Sequence, residues 1–324
     1  MIYSRIEGTG RYLPGRSMTN ADLEKLVDTS DEWIRTRTGV ERRHVAGDDE
    51  KTSDLCVEAA KQAIEAAGID KSEIDLILVG TTSPDLIFPN IATIIQHKLG
   101  LGGCPAVSME AACTGFIYAL TTADKYIRAG ESKCALVIGA EIITKLVDWS
   151  DRTTCVLFGD GAGAVIVKPS EEQGIISCHL GADGQYKDLL YYPVGVGTDL
   201  ARAGIIEQDA RILMKGNEVF KVAVKTLGNV AAEALAANGI DKADLDWLIP
   251  HQANLRIIQA TAKRLDLPME KVILTVQDHG NTSAASVPMA LDVGIRDGRI
   301  KRGQLLLLEA FGGGFTWGSI LLRY

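Results

Sequence analysis

Three polar residues in this chain stand where side chains could handle an acyl group. Cys113 lies in SMEAACTGFIYAL, a small-residue turn that feeds an amphipathic helix. The N-terminus of a helix offers free N–H groups and the positive end of its dipole, which favour thiolate over thiol. A cysteine so placed reads as a nucleophile that needs no proton removed in each turnover. The alternative is a buried thiol packed beside a turn. His251 comes straight after an apolar run and a proline in DWLIPHQANLRI, where the chain leaves a sheet; otherwise it is a loop histidine on the surface. Asn281 sits in QDHGNTSAAS, with a glycine before it and small residues after it. Asparagine caps helices well, and capping does not exclude catalysis. His279, two residues upstream, is expected to point elsewhere. Cysteine hydrolases also use Cys, His and Asn in that chain order, but the CGxCW-type signature of papain-like proteases is absent.

Two glycine-rich stretches bear on the same chemistry. EAFGGGFTWG (309–318) follows an apolar run, and three consecutive glycines let the backbone turn sharply and approach another group closely. That suits a backbone N–H donor to an oxyanion, or simply a tight turn between strands. FGDGAGA (158–164) resembles a dinucleotide loop only in part. It lacks the third glycine of GxGxxG and runs into a strand, AVIVK, so no nucleotide cofactor is expected there.

Groups so far apart in the chain need a frame to bring them together, and the frame is repeated. EAAGIDKSEIDLILVGTT (65–82) has the same plan as AANGIDKADLDWLIPHQA (236–253), with Gly68 falling on Gly239 at an offset of 171 residues. The helix-like run from Cys113 matches the run from Asn281, with Ile127-Arg128 on Ile295-Arg296 at an offset of 168. By this alignment Cys113 and Asn281 are equivalent, both opening a helix after a strand, and His251 is the counterpart of Gly80. The runs DLILVG, ALVIGA, GAVIVK, DWLIP and QLLLLEA are short and continuously apolar, as strands covered on both faces are. Helical periodicity fills the intervals, as in LCVEAAKQAIEAAG. The pattern predicts a layered α/β fold of two related halves, 1–170 with the cysteine and 171–324 with the histidine and asparagine, in one compact unit without a linker.

Composition narrows the classes. Hydrophobic residues make up 46% and charged residues 23%, which excludes disordered and fibrous chains. A net charge of −8 argues against nucleic acid as a partner. No run reaches the roughly 18 apolar residues of a membrane span, and the N-terminal segment has no signal-peptide core, so a cytoplasmic enzyme with no membrane partner is expected. The six cysteines lack CxxC or zinc-type spacing, so no metal is expected.

The set AACTGF, IPHQANLRI, HGNTSAASVP and EAFGGGFTWGS resembles the thiolase-superfamily condensing enzymes, and among them the β-ketoacyl-acyl-carrier-protein synthase III family. The likeness runs from GTGRYLP to WGSILLRY, nearly the whole chain. It implies an internally duplicated α-β-α-β-α thiolase-like fold and an acyltransferase that starts type II fatty-acid synthesis. The expected reaction is decarboxylative condensation of an acyl-coenzyme A, acetyl-CoA first, with malonyl-acyl carrier protein. A related enzyme of specialised metabolism is the alternative. The resemblance implies Cys113 as the acylated residue, His251 and Asn281 at the decarboxylation step, and the backbone N–H groups of Cys113 and Gly313 as the oxyanion hole. It implies coenzyme A contacts at Thr29, Trp33, Arg37, Arg152 and Asn254, with Trp33 and Arg152 sandwiching the adenine. Phe88, Phe158 and Phe311 are implied at the acyl pocket, Phe88 reaching into a neighbouring subunit and so implying a homodimer. Lys215, Arg256 and Lys263 are implied as a basic rim for the acidic carrier protein. Coenzyme A thioester is then a substrate, and no cofactor is implied. Two places depart from the pattern: Thr114 follows the nucleophile where a smaller residue is common, and the stretch from Tyr186 to Met214, expected to border the acyl tunnel, carries no motif that can be aligned.

Overall fold

A computed structural model describes residues 2–199, 206 and 209–324. The strands of the first half are β1 (Tyr3–Tyr12), β2 (Arg16–Thr19), β3 (Arg42–Val45), β4 (Leu76–Gly80), β5 (Ala106–Met109), β6 (Ala135–Glu141) and β7 (Gly161–Ser170). They are followed by β8 (Ile175–Ala182), β9 (Leu190–Tyr191), β10 (Leu213–Met214), β11 (Trp247–Pro250), β12 (Leu305–Gly312) and β13 (Thr316–Arg323). The helices are α1 (Asn20–Leu23), α2 (Asp31–Thr38), α3 (Thr52–Ala67), α4 (Ile91–Lys98) and α5 (Gly115–Arg128). Then come α6 (Gly216–Ala237), α7 (Leu255–Arg264), α8 (Val276–His279) and α9 (Ser286–Arg296).

Two sheets carry the fold. The first runs in the order β1-β7-β6-β4-β5 and the second in the order β11-β12-β13-β8. In each, a parallel pair is continued by antiparallel neighbours: β4 beside β6, then β7, and β11 beside β12, then β13. Helices α5 and α9 lie between the sheets, α3 and α4 cover the first sheet, and α6 covers the second with α7 packed against it. This is the five-layer α-β-α-β-α arrangement. The apolar runs are continuous because both faces of each central strand are buried. In β4, Leu76 and Leu78 face the middle layer, while Ile77 and Val79 face α3 and α4. In β12, Leu306 and Leu308 face the middle layer, while Leu305 and Leu307 face outward to α6 and α7.

The duplication is present, but its register at the site differs from the one the sequence suggests. A helical turn precedes each middle-layer helix: Ala112–Thr114 before α5 and Ser283–Ala285 before α9. Each opens on a residue with positive φ, 47° at Ala112 and 49° at Ser283. The offset of 171 therefore holds here too, and Cys113 corresponds to Ala284. Asn281 lies two residues ahead of its turn. The offset of 168 holds only at the far ends, because α9 has 11 residues where α5 has 14. A deletion inside a helix leaves its periodicity intact and so leaves little trace in sequence.

Two glycines bring the sheet against these turns. A Cβ on Gly80 would fall 2.3 Å from the carbonyl carbon of Gly115, and one on Gly139 would fall 2.3 Å from the carbonyl oxygen of Ala284. Any side chain at either position would push a helix start away from the first sheet. The glycines of FGDGAGA serve a similar end: a Cβ on Gly163 would meet the Met289 backbone nitrogen of α9 at 2.7 Å.

Candidate active site

Cys113 is the middle residue of the turn ahead of α5 and is buried. Burial pushes its thiol up to about 12; Glu141 and Glu110 add to the rise, and a hydrogen bond from Ser283 opposes it. Burial thus opposes the thiolate that the helix terminus favours. Acidity does not single out this cysteine: burial also raises Cys134, Cys155 and Cys178 to about 11, and Cys56 well above its ordinary value. Position does. Cys113 lines two cavities, of about 270 and 450 Å³, which also share Phe158 and Leu190.

His251 and Asn281 line the first cavity with Cys113. Pro250 ends β11 on the parallel ladder with β12, and the His251 N–H donates to the Glu309 carbonyl at 2.8 Å. Gln252, wholly buried, anchors this corner. Its Nε2 donates to the carbonyls of Pro250 (2.7 Å) and Ile273 (3.1 Å), and its Oε1 accepts from the N–H groups of Thr275 (2.9 Å) and Val276 (3.1 Å). Burial lowers the His251 imidazole to about 3, so it is neutral. Its Nδ1 lies 2.6 Å from Ser286 Oγ, which also accepts from the Gln252 N–H at 3.3 Å. With the Ser286 hydroxyl proton directed to Nδ1, the imidazole proton sits on Nε2 as a donor.

Asn281 is fixed by backbone on both sides. Its N–H donates to the Leu157 carbonyl at 2.8 Å, and its carbonyl accepts from the Gly159 N–H at 3.0 Å. Its Oδ1 accepts from the Ser283 N–H at 2.9 Å, a capping bond that leaves Nδ2 free to donate. His279 lines neither cavity, and burial lowers it to about 4.

The remaining expected residues divide by place. Trp33, Arg37, Arg152 and Asn254 line the first cavity, and Thr29 does not. The slot expected between Trp33 and Arg152 is closed: the Arg152 guanidinium lies 5.2 Å over the Trp33 ring, and that of Arg37 lies 4.6 Å over it. A planar guest between two stacked groups needs about 7 Å, twice an ordinary van der Waals separation. Asn254 is occupied as the N-cap of α7, accepting from the Arg256 N–H at 2.9 Å and donating to the Arg37 carbonyl at 3.1 Å.

Phe158 lines both cavities and Phe311 the first, whereas Phe88 lines neither and is 83% exposed. Gly313 lines the second cavity beside Cys113, and a Cβ on Gly312 would come within 2.6 Å of the Cys113 nitrogen. Lys215, Arg256 and Lys263 are exposed, with Arg256 at the first cavity over the Phe220 ring. Of the stretch without a motif, Leu190, Tyr191, Tyr192, Val194 and Ile212 line the second cavity; residues 200–205, 207 and 208 lie outside the described residues. Among the described residues no cluster of His, Cys, Asp and Glu is placed to hold a metal, and no helix is long and apolar enough to cross a membrane.

A duplicated five-layer fold with a cysteine at the head of a middle-layer helix defines a thiolase-fold condensing acyltransferase. Residues 107–184 match the family described as 3-oxoacyl-[acyl-carrier-protein] synthase III, and residues 235–324 match its C-terminal part. A β-ketoacyl-[acyl-carrier-protein] synthase III of Xanthomonas campestris pv. campestris is 63% identical, across 100% of this chain and 99% of its own. The Thioalkalivibrio sulfidiphilus protein of the same description is 59% identical over the full length of both. The crystal structure of 3-oxoacyl-[acyl-carrier-protein] synthase III from Aquifex aeolicus superposes with a TM-score of 0.92 at 46% identity, covering 99% of this chain and 100% of that one. The chain belongs to the 3-oxoacyl-[acyl-carrier-protein] synthase III family, condensing enzymes that start fatty-acid synthesis.

Proposed function

We propose that this enzyme condenses an acyl-coenzyme A primer, acetyl-CoA first, with malonyl-acyl carrier protein, giving 3-oxoacyl-acyl carrier protein, coenzyme A and CO2. The observation that carries the reading is the junction at Cys113, which lines one cavity with His251 and Asn281 and a second with Gly313. In the first half-reaction the Cys113 sulfur bonds to the primer's acyl carbon, and the bond from that carbon to the coenzyme A sulfur breaks. The backbone N–H groups of Cys113 and Gly313 hold the oxyanion. The acyl chain occupies the second cavity, leaving the first free for the malonyl group. Loss of CO2 then puts charge on the malonyl thioester oxygen, where His251 Nε2–H and Asn281 Nδ2–H donate. The resulting carbanion attacks the acyl carbon and expels the Cys113 thiolate.

Arg37, Arg152, Trp33 and Asn254 at the mouth of the first cavity suit the coenzyme A nucleotide, and we assign Thr29 to its edge. Lys215, Arg256 and Lys263 suit an acidic carrier protein that an acidic enzyme could not otherwise attract. We infer further that the enzyme works in the cytoplasm as a homodimer of two-part subunits, 1–170 and 171–324, and needs no cofactor.

Peptide mapping after incubation with labelled acetyl-CoA tests the core of this reading. Label is expected on Cys113 in the wild type and in Asn281→Ala, while CO2 release from malonyl-acyl carrier protein falls roughly 10²–10³-fold in the variant. Label on another cysteine, or normal CO2 release from Asn281→Ala, would sink it.

A further inference from the structure

Acylation leaves one proton without an acceptor. Burial favours the neutral thiol at Cys113, and His251 Nδ1 is already engaged by Ser286 Oγ at 2.6 Å. The side chain hydrogen-bonded to the sulfur is Ser283, whose Oγ lies 3.3 Å from Cys113 Sγ. The same hydroxyl lies 3.2 Å from Glu141 Oε1. Glu141 ends β6 and is wholly buried. Its Oε2 takes the Thr81 hydroxyl (3.2 Å), the Thr82 hydroxyl (3.0 Å) and the Ser83 hydroxyl. The Thr82 N–H is shared between Oε2 (3.2 Å) and Oε1 (3.1 Å). The Ser83 and Thr81 hydroxyls in turn accept from the N–H groups of Ile142 and Ser83, so their protons point at the carboxylate. Oε2 is crowded with donors, and Oε1 is the oxygen with room for a proton, on the side that faces Ser283.

We propose that Ser283 and Glu141 form a buried relay that takes the Cys113 proton during acylation and returns it after condensation. The inference rests on Cys113 being the nucleophile. As the sulfur bonds to the acyl carbon, its S–H bond breaks and the proton passes to Ser283 Oγ. The Ser283 proton passes to Glu141 Oε1, whose electron pair forms the new O–H bond. Coenzyme A leaves as a thiolate and is protonated by solvent. When condensation expels the Cys113 thiolate, the same path runs backwards. Ser283 touches the reacting sulfur and is catalytic; Glu141 acts through it.

Burial raises Glu141 to about 7, against the pull of its hydrogen bonds from Ser83, Thr82 and Ser283, which suits an acceptor working near neutrality. The other charged groups nearby are engaged. Asp85 holds Ser53, Glu110 holds the Ala112 N–H at 2.8 Å, Asp160 holds Thr144 and Ala46, and Lys98 pairs with Asp54 at 2.6 Å. Cys56 of α3, which feels Asp85 and Glu141, is pushed well above its ordinary range and stays protonated.

The test is rapid-quench acylation by acetyl-CoA from about pH 5 to about pH 9, in H2O and D2O, with peptide mapping of the label. Wild type, Ser283→Ala and Glu141→Gln are compared. Alanine suits φ 49° at 283, since Ala112 holds 47° in the matching turn; if Glu141→Gln does not fold, Ser283→Ala decides. In the wild type the rate is expected to level off above about pH 7, with a solvent isotope effect. Each variant should lose roughly 10²-fold, keep rising with pH as the bare thiol ionises, and lose the isotope effect. An unchanged rate, or a uniform loss with the wild-type pH profile and isotope effect, would overturn the relay and leave both residues as structural supports. Label away from Cys113 would instead overturn the nucleophile itself.

Discussion

Two wholly buried carboxyls in this molecule are treated in opposite ways. Glu141 is wrapped in hydroxyls, whereas neither oxygen of Glu309 has a hydrogen-bond partner among the described residues. Burial alone raises Glu309 to about 8. Its unfolded value lies near 4.3, so between those values the folded state holds a proton that the unfolded state releases. Stability from this group is complete below about pH 4 and is lost as pH rises towards 8. Glu309→Gln cannot ionise, so its stability relative to wild type should climb between pH 5 and pH 8, by on the order of 1–3 kcal/mol, seen as a widening gap in melting temperature. Parallel melting across that range would show that Glu309 does not titrate there. At this scale sequence reveals residue types that do chemistry and hides those that hold them. Cys113, His251 and Asn281 could be singled out because few such residues open helices or end strands. Ser283 and Ser286 lay in the same HGNTSAAS block, but serines are common in turns and nothing distinguished these two. Glu141 did leave a trace, as a charge closing the otherwise apolar ALVIGAE.

Elements covered on both faces were legible, and those covered on one were not. β4, β6, β7, β11 and β12 announce themselves as apolar runs. β1 does not, because its residues alternate between buried and partly exposed along an antiparallel edge, and β8 is half open at the edge of the second sheet. Helix α2 explains more than its sequence suggested. Ser30 caps it, and Trp33 and Arg37, one turn apart, lean together at the cavity mouth, where Arg152 arrives from the loop before β7 with its Nη1 on the Asp28 carbonyl at 2.9 Å. On the assignment proposed above, a nucleotide must displace this stack before it can use it. Arg152→Ala should therefore raise the KM for acyl-coenzyme A roughly 3- to 30-fold, as loss of a cation–π contact does, and spare a simple acyl-pantetheine. Equal loss on both substrates would make Arg152 a structural partner of Asp28.

At the scale of the whole molecule, large apolar side chains stand uncovered among the described residues. Leu86, Ile87 and Phe88 stand exposed on the loop after β4, and Val107 is exposed on β5, the edge strand of the first sheet. Exposed apolar residues of this kind suit an association surface, and in the homodimer proposed above a second copy would cover them. Phe88→Asp should convert a sedimenting dimer into a monomer; a monomeric wild type would refute the dimer, and an unshifted variant would move the interface elsewhere. The duplication was legible as a repeat, and its three-residue correction was not, because only the folded chain shows where each turn begins. That same turn has a consequence for the life of the enzyme in an oxidising world. Burial pushes the Cys113 thiol above its ordinary range, and peroxides and disulfides attack the thiolate. The burial that opposes ionisation of the unloaded sulfur thus also opposes its oxidation.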